Sequence, residues 1–339
     1  MSMKKFGTHL LATLRGIGNF LLKIVKNPKG RVGVILVGIV VLAAILAPVL
    51  TPYELDAYDI ANGLAKPSLE HPLGTDKNGI DILTQILYGA RISLIIGIVT
   101  GLCVTLLGAT LGVVSAYFGK VPATVILNLI NVLLVIPTTP LMMIMSNLSS
   151  SYLMMIAIFT LIGWCGTARV VRAQVLSVMN MNYIRAAELS GGSKTYIMYR
   201  HILPAVSHLL IMNCALSCAG FMIAEAGLSF IGLGDPSVIS WGKILVAAQE
   251  SAFTSGLWAW VLAPGVAIFI TVYGFMQIGY ALEEILNPKM KRKKDKRAKG
   301  LPPEEAAAAV FATMTEQSEE DALHLKEQFA KEVAVNERA

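Results

Sequence analysis

Charge is what this chain has least of. Only 15% of its 339 residues are Asp, Glu, Lys or Arg, where a soluble chain carries roughly 25%, so the composition does not describe an ordinary water-facing domain. Cysteine is scarce too. Cys103, Cys165, Cys214 and Cys218 are scattered through apolar segments, which, with the chain's length, excludes a secreted disulfide scaffold. Cys214 and Cys218 share one helix face, but two ligands do not make a metal site, and all four read as small packing residues. With 29 glycines and 14 prolines, collagen-like and wholly disordered chains are excluded as well. Catalytic signatures are missing: there is no Gly-x4-Gly-Lys-Ser/Thr phosphate loop, no His-Glu-x-x-His, no Ser-His-Asp set and no pair of intramembrane carboxylates. The chain is not expected to be an enzyme, nor to bind a metal or other cofactor itself.

What it has instead is hydrophobicity. Apolar residues make up 55% of the sequence, the mean hydropathy is +0.64, and the apolar residues gather into runs of about 20, the length that crosses a bilayer. Six such runs are expected, from Val32 to Leu50, Ile92 to Phe118, Ala123 to Met145, Tyr152 to Ala168, Ala205 to Ile231 and Gly256 to Leu282. The first is too long for a signal-peptide core and lacks a cleavage site, so it reads as a retained helix. The second carries Gly97, Gly101, Gly108, Ala109 and Gly112, small residues that suit close helix packing in lipid. The fold class is therefore all-α, a polytopic membrane protein with six transmembrane helices.

The net charge of +6 reads as orientation and not as nucleic-acid binding. If the N-terminus is cytoplasmic, 24 of the 28 Lys and Arg residues fall inside, leaving only Lys66, Lys77, Arg91 and Lys243 outside. Positive charge is retained on the cytoplasmic side, so both termini are expected there. The chain then divides into a cytoplasmic segment 1–31, a membrane domain 32–288 and a C-terminal extension 289–339. Residues 51–90 lie outside, and residues 169–204 form the one large internal cytoplasmic loop. The extension opens with eight basic residues in positions 289–299, a run that binds anionic headgroups. Helices are expected to follow from Glu304-Glu305 and from near Ser318, with a stripe of Ala322, Leu325, Phe329 and Val333.

The loop carries the most information. Val170, Val171, Val175, Leu176 and Met179 recur at helical spacing, and Tyr183 to Leu189 forms a short helix with two adjacent alanines. Gly191-Gly192-Ser193 breaks it, since glycine reaches left-handed backbone angles without a Cβ clash. A second amphipathic turn holds Tyr196, Ile197 and Tyr199, and Ile202-Leu203-Pro204 re-enters the membrane with Pro204 in the first turn of the fifth span. This is a helix–turn–helix at the membrane surface, shaped to let another backbone approach.

Here the sequence resembles the permease subunits of ABC importers, whose cytoplasmic loop reads Glu-Ala-Ala, three residues, Gly, nine residues, then Ile-x-Leu-Pro. Ala186, Ala187 and Gly191 keep that spacing, and Ile202, Leu203 and Pro204 keep the ending without the spacer. Arg185 stands where Glu is expected, with Glu188 one turn further on. Three more stretches are similar to the dipeptide/oligopeptide/nickel subfamily. They are His71-Pro72-Leu73-Gly74-Thr75-Asp76 with Gly79, Asp81 and Tyr88 to Leu94; Arg172 to Ser177; and Glu225 to Gly234 with Ser240-Trp241-Gly242. Ile80 replaces an Arg common in the subfamily.

The resemblance covers residues 30–288 and implies the type I importer permease fold in the cell membrane of a prokaryote. It implies a second homologous permease subunit, two cytoplasmic ATPases that carry ATP and Mg, and an extracytoplasmic binding protein. The substrate would be peptides, or alternatively nickel chelates or another small solute. Arg185, Ala186, Ala187, Glu188, Gly191, Ile202, Leu203 and Pro204 would couple to the ATPase. A membrane scaffold and a self-sufficient channel are the rivals from other classes.

Among single residues, Glu225 is the only acid deep in the fifth span. It either lines a pathway or hydrogen-bonds to fix the turn at Gly232-Leu233-Gly234. Asn128, Asn131 and Asn213 are further pathway candidates. His208 has no second ligand at metal spacing and reads as a packed histidine. His71 starts an outer turn, and Asp76 is expected to cap a short helix toward Leu83. Met142, Met143, Met145, Met154 and Met155 are adaptable packing residues or lipid-facing filler. Deletion of residues 300–339 should leave assembly and uptake unchanged. Uptake lost while the membrane domain still inserts would make the extension a docking segment.

Overall fold

Helix ends set the architecture. The computed structural model describes residues 22–55, 58–146, 151–255 and 258–286, so the basic run and the helices expected after it lie outside the described residues. The first candidate span, α1 (Pro28–Ile45), starts four residues before the expected Val32, because Asn27 caps it and Pro28 occupies its first turn. The Asn27 side chain accepts hydrogen bonds from Lys29 N at 2.9 Å and Gly30 N at 3.4 Å. A short α2 (Ala47–Leu50) continues it after a break at Leu46.

The second span is longer than its apolar run. Helix α3 (Ile82–Tyr117) has 36 residues, about 54 Å at 1.5 Å per residue, against a hydrocarbon core of roughly 30 Å. Its N-cap is Asp81, whose Oδ2 accepts from Thr84 N and Thr84 Oγ1, both at 2.8 Å. This corrects the expectation for Asp76. Asp76 instead closes the turn before the helix, accepting from Asn78 N at 2.8 Å and Ile80 N at 2.9 Å, and takes the Gln85 side chain at 2.8 Å. Ile80 is buried in that turn, 8% exposed.

The third span is not straight. Helices α4 (Lys120–Val135) and α5 (Thr138–Ser146) meet at an angle of 87°. Pro137 has no N–H to continue α4, and a residue before proline is pushed out of the helical region. Ile136 accordingly sits at φ −75°, ψ 127°. Among the described residues five helices are long and apolar enough to cross alone, and the bent pair would make a sixth.

The remaining elements are α6 (Tyr152–Met179), α7 (Asn182–Leu189), α8 (Lys194–Ile197), α9 (Leu203–Phe230), α10 (Trp241–Ser255) and α11 (Trp258–Leu286), with a π turn at Met198–Ile202. Helix α6 runs past the expected end at Ala168, because Val171, Val175 and Val178 are buried on one face and keep it wound. Apart from a single bridge between Thr75 and Asp81, no strand pairing occurs among the described residues.

Helix α3 packs along both α6 and α9, and its glycines divide the two contacts by height. A Cβ on Gly97 or Gly101 would strike α9, 2.2 Å from Met222 Cγ or 2.7 Å from Cys218 N. One on Gly108 or Gly112 would strike α6, 2.7 Å from Thr167 Cβ or from Ala168 O. Such close approach is how helices gain contact in lipid, where no hydrophobic force drives them together. The same device joins α1 to α11. A Cβ on Gly33 would lie 2.6 Å from Gly274 O and 2.8 Å from Ile278 N, whereas nothing lies within 4 Å at Gly38. Gly33→Ala should cost about 1–3 kcal/mol and Gly38→Ala almost nothing, measured by unfolding in mixed detergent. Equal effects would contradict this packing.

Candidate functional site

The loop of residues 180–204 is a reversal locked at both of its turns. Helix α7 ends in a motif that satisfies its last carbonyls: Gly191 N donates to Glu188 O and Gly192 N to Ala187 O, both at 3.0 Å. This pairing requires a left-handed residue after the helix, and Gly191 supplies it at φ +82°. Ser193 then caps α8, its Oγ accepting from Tyr196 N at 3.2 Å.

Beneath the reversal, Ile184, Ile197, Ile202 and Val206 pack with Val171, Val175 and Val178 of α6 and with Val113 and Tyr117 of α3. Arg172 donates through Nη1 to Ser115 O, tying α6 to the end of α3. The loop is thus part of the core at this end of the membrane domain.

The structure divides the eight predicted coupling residues. Arg185, Ala186, Glu188, Gly191 and Pro204 are exposed, Ala187 and Leu203 are half-buried, and Ile202 is fully buried as an anchor. Pro204 lies in the first turn of α9, as expected, but the backbone before it is helical too. Helix runs unbroken from Lys194 to Phe230, and the π turn just before Pro204 is closed by Leu203 N donating to Met198 O. A proline inside a helix has no N–H for the carbonyl four residues back and crowds it, and the widened turn absorbs that mismatch.

Sequence reasoning missed two features here. Leu189 is 90% exposed, an apolar knob at the tip of α7. His201 lies between Tyr183, at 6.3 Å, and Tyr196, at 5.8 Å between ring centroids. The signal for the second was four aromatic or imidazole rings, Tyr183, Tyr196, Tyr199 and His201, within nineteen positions of the loop.

The four pathway candidates do not form one site in this chain. Glu225 is 1% exposed. Its Oε2 accepts from Ser93 Oγ at 3.0 Å and its Oε1 from Ser229 Oγ at 2.8 Å, while Trp241 N donates to Ser93 Oγ at 3.2 Å. The carboxylate therefore ties α3, α9 and α10 together. Just beyond it, α9 ends in the same motif as α7, with Gly232 at φ +89°, Gly232 N donating to Ser229 O and Leu233 N to Leu228 O. Asn128 and Asn131 are exposed on α4, where Asn131 Oδ1 accepts from Arg169 Nη2 at 3.2 Å. Asn213 returns its Nδ2 to Leu209 O of its own helix at 3.2 Å.

At the opposite end, His71 Nδ1 lies 3.1 Å from Asp81 Oδ1, and Tyr53 packs on the His71 ring. Asp235 reaches across to α6, accepting from Tyr152 N at 3.0 Å, and also from Ser237 Oγ at 2.6 Å and Ser237 N at 2.8 Å. Burial raises its pKa, but these hydrogen bonds and the nearby Lys243 outweigh that and hold the carboxyl below its usual range. Among the described residues no group of three or more His, Cys, Asp or Glu could hold a metal.

Comparison with known proteins agrees with this geometry. The family described as "Binding-protein-dependent transport system inner membrane component" matches residues 108–292, which contain the whole loop. The "N-terminal TM domain of oligopeptide transport permease C" matches residues 18–67. The dipeptide transport system permease protein DppC of Alkalihalophilus pseudofirmus is 34% identical over 268 residues, 78% of this chain and 88% of the relative. DppC of Bacillus subtilis is 32% identical over 271 residues, 79% of this chain and 84% of the relative. The oligopeptide transport system permease protein OppC of Bacillus subtilis is 30% identical over 275 residues, 80% of this chain and 89% of the relative. With the family match covering more than half of its length, the chain belongs to the inner membrane components of binding-protein-dependent transport systems.

Proposed function

We propose that the chain is one of two permease subunits of an ATP-driven peptide importer. The observation that carries this reading is the locked reversal α7–α8, anchored by Ile184, Ile197 and Ile202 and presenting Arg185, Ala186, Glu188 and Leu189 to solvent. A solvated loop could be flexible. One built into the helix core transmits force, which is what coupling to a separate ATPase requires.

In this reading both termini and the α7–α8 reversal face the cytoplasm, as the positive-inside distribution supports. Two ATPases carrying ATP and Mg engage the reversals of the paired permeases, and closure of the ATPase pair tilts α6 and α9. A binding protein delivers substrate on the side of residues 51–90 and 232–255. Relatives named for dipeptide and oligopeptide transport support peptides as the cargo. Arg185, in place of the family's Glu, directs the ionic part of docking toward an acidic residue of the ATPase. Glu225 holds α3, α9 and α10 as one unit while they move.

Gly191→Val places a β-branched side chain at φ +82°, at a cost of about 1–2 kcal/mol, and should misaim α7. Membrane insertion should persist, uptake should fall at least tenfold, and ATP hydrolysis by the assembly should continue without transport. Uptake at the wild-type rate would contradict the coupling role. Glu225→Leu, which leaves Ser93 and Ser229 without their acceptor, should lower stability in detergent by about 1–3 kcal/mol, and Glu225→Gln should lower it less. Full stability with lost uptake in both variants would instead identify Glu225 as a pathway residue.

A further inference from the structure

A groove of about 500 Å³ runs between α1 and α3. Val41 and Ile45 line one wall and Ile95, Ile98 and Val99 the other, with Arg91 at one end. Both helices are membrane spans, and the groove is open to their surroundings, since Ile45 is 63%, Ile95 43% and Val99 38% exposed. In a bilayer an opening of this kind on the outside of two spans meets hydrocarbon unless a partner subunit is seated on it.

Arg91 is fixed in place and has capacity left. Its Nε donates to Ala44 O at 2.7 Å and its Nη2 to Ile45 O at 3.4 Å, which caps the last carbonyls of α1. Its Cζ lies 4.7 Å from the centre of the Tyr88 ring. Two of the five guanidinium N–H groups are thereby used, and among the described residues no carboxylate forms an ion pair with it. Arg91 stands where α1 stops, on the side of residues 51–81, and the end of a spanning helix is where a bilayer changes from chains to headgroups. From there to Val99 the groove follows α3 for about 12 Å at 1.5 Å per residue. The anion that a bilayer offers at that depth is a lipid phosphate, and a planar guanidinium matches phosphate oxygens.

We propose that this groove holds one acyl chain of a membrane phospholipid, with the lipid's phosphate on Arg91. The bound lipid fills the gap between α1 and α3 and completes the charge that the Ala44 and Ile45 carbonyls only partly offset.

The test uses the full chain in nanodiscs, in the assembly it forms when purified from its own membrane. Two photoactivatable probes carry the same mid-chain diazirine, one a phosphatidylglycerol and the other a diacylglycerol without phosphate. Adducts should map to the facing residues of α1 and α3, several-fold more from the phospholipid than from the diacylglycerol. Ile95→Trp, which fills the groove without touching Arg91, should reduce those adducts several-fold, while Leu102→Trp, on the same helix outside the groove, should leave them unchanged. Arg91→Gln should erase the difference between the probes. Adducts spread evenly over all lipid-facing helices, absent from the groove because a partner subunit covers it, or undiminished in Ile95→Trp would overturn the proposal. Equal labelling by both probes in the wild type would overturn the role of Arg91.

Discussion

A chain entering a bilayer leaves water behind, and every backbone N–H and carbonyl must then find its partner within the protein. Helix interiors satisfy this automatically, whereas helix ends leave four groups unsatisfied at each terminus. The fold can be understood as a set of answers to that constraint. Asn27 and Asp81 cap α1 and α3 from within their own sequence. Asp235 caps α6 from another part of the chain, and Arg91 takes the last carbonyls of α1 from a neighbouring helix. At the two most informative ends, after α7 and after α9, a left-handed glycine folds the chain back so that its own N–H groups reach the final turn.

Those ends also give the structure its mechanical character. Because the chain after α7 is held by paired hydrogen bonds and by isoleucines buried against α3 and α6, the reversal cannot yield independently of the spans. The glycine faces of α3 act in the same direction, bringing α6 and α9 close enough that a single methyl would collide. Rigidity in this protein comes from short distances between backbones and from capped ends. The Lys29–Glu284 ion pair is half-exposed to solvent, where such a pair contributes little.

Much of this was legible in the sequence, and the parts that were not share a cause. The membrane spans followed from runs of apolar residues, the α3 packing faces from glycines at helical spacing, and the α7 turn from Gly191-Gly192-Ser193. Local signals of that kind are written within one or two turns of chain. The length of α6 was missed because Val171, Val175 and Val178 carry a periodicity that a surface loop helix would also show, and only their burial against α3 distinguishes the two. Asp76 is expected to cap a short helix toward Leu83, whereas the helix begins at Ile82 behind Asp81 and Gln85 folds back onto Asp76. Glu225 reads from the sequence as structural or as pathway-lining, and no local signal announces its hydrogen bond from Ser93, 132 residues away in sequence. The third span is expected as one run from Ala123 to Met145, and the 87° bend at Pro137 depends on where α5 finds packing against α6.

The central claim is that α7 and α8 form a rigid surface through which a separate ATPase drives this membrane domain. It is tested most directly by purifying the tagged chain in mild detergent from its native host and determining its stoichiometric partners by mass spectrometry. The account predicts one different permease and two ATPase copies in the same particle. The chain recovered alone or as a homo-oligomer, with detergent dissociation controlled for by crosslinking before extraction, would contradict it.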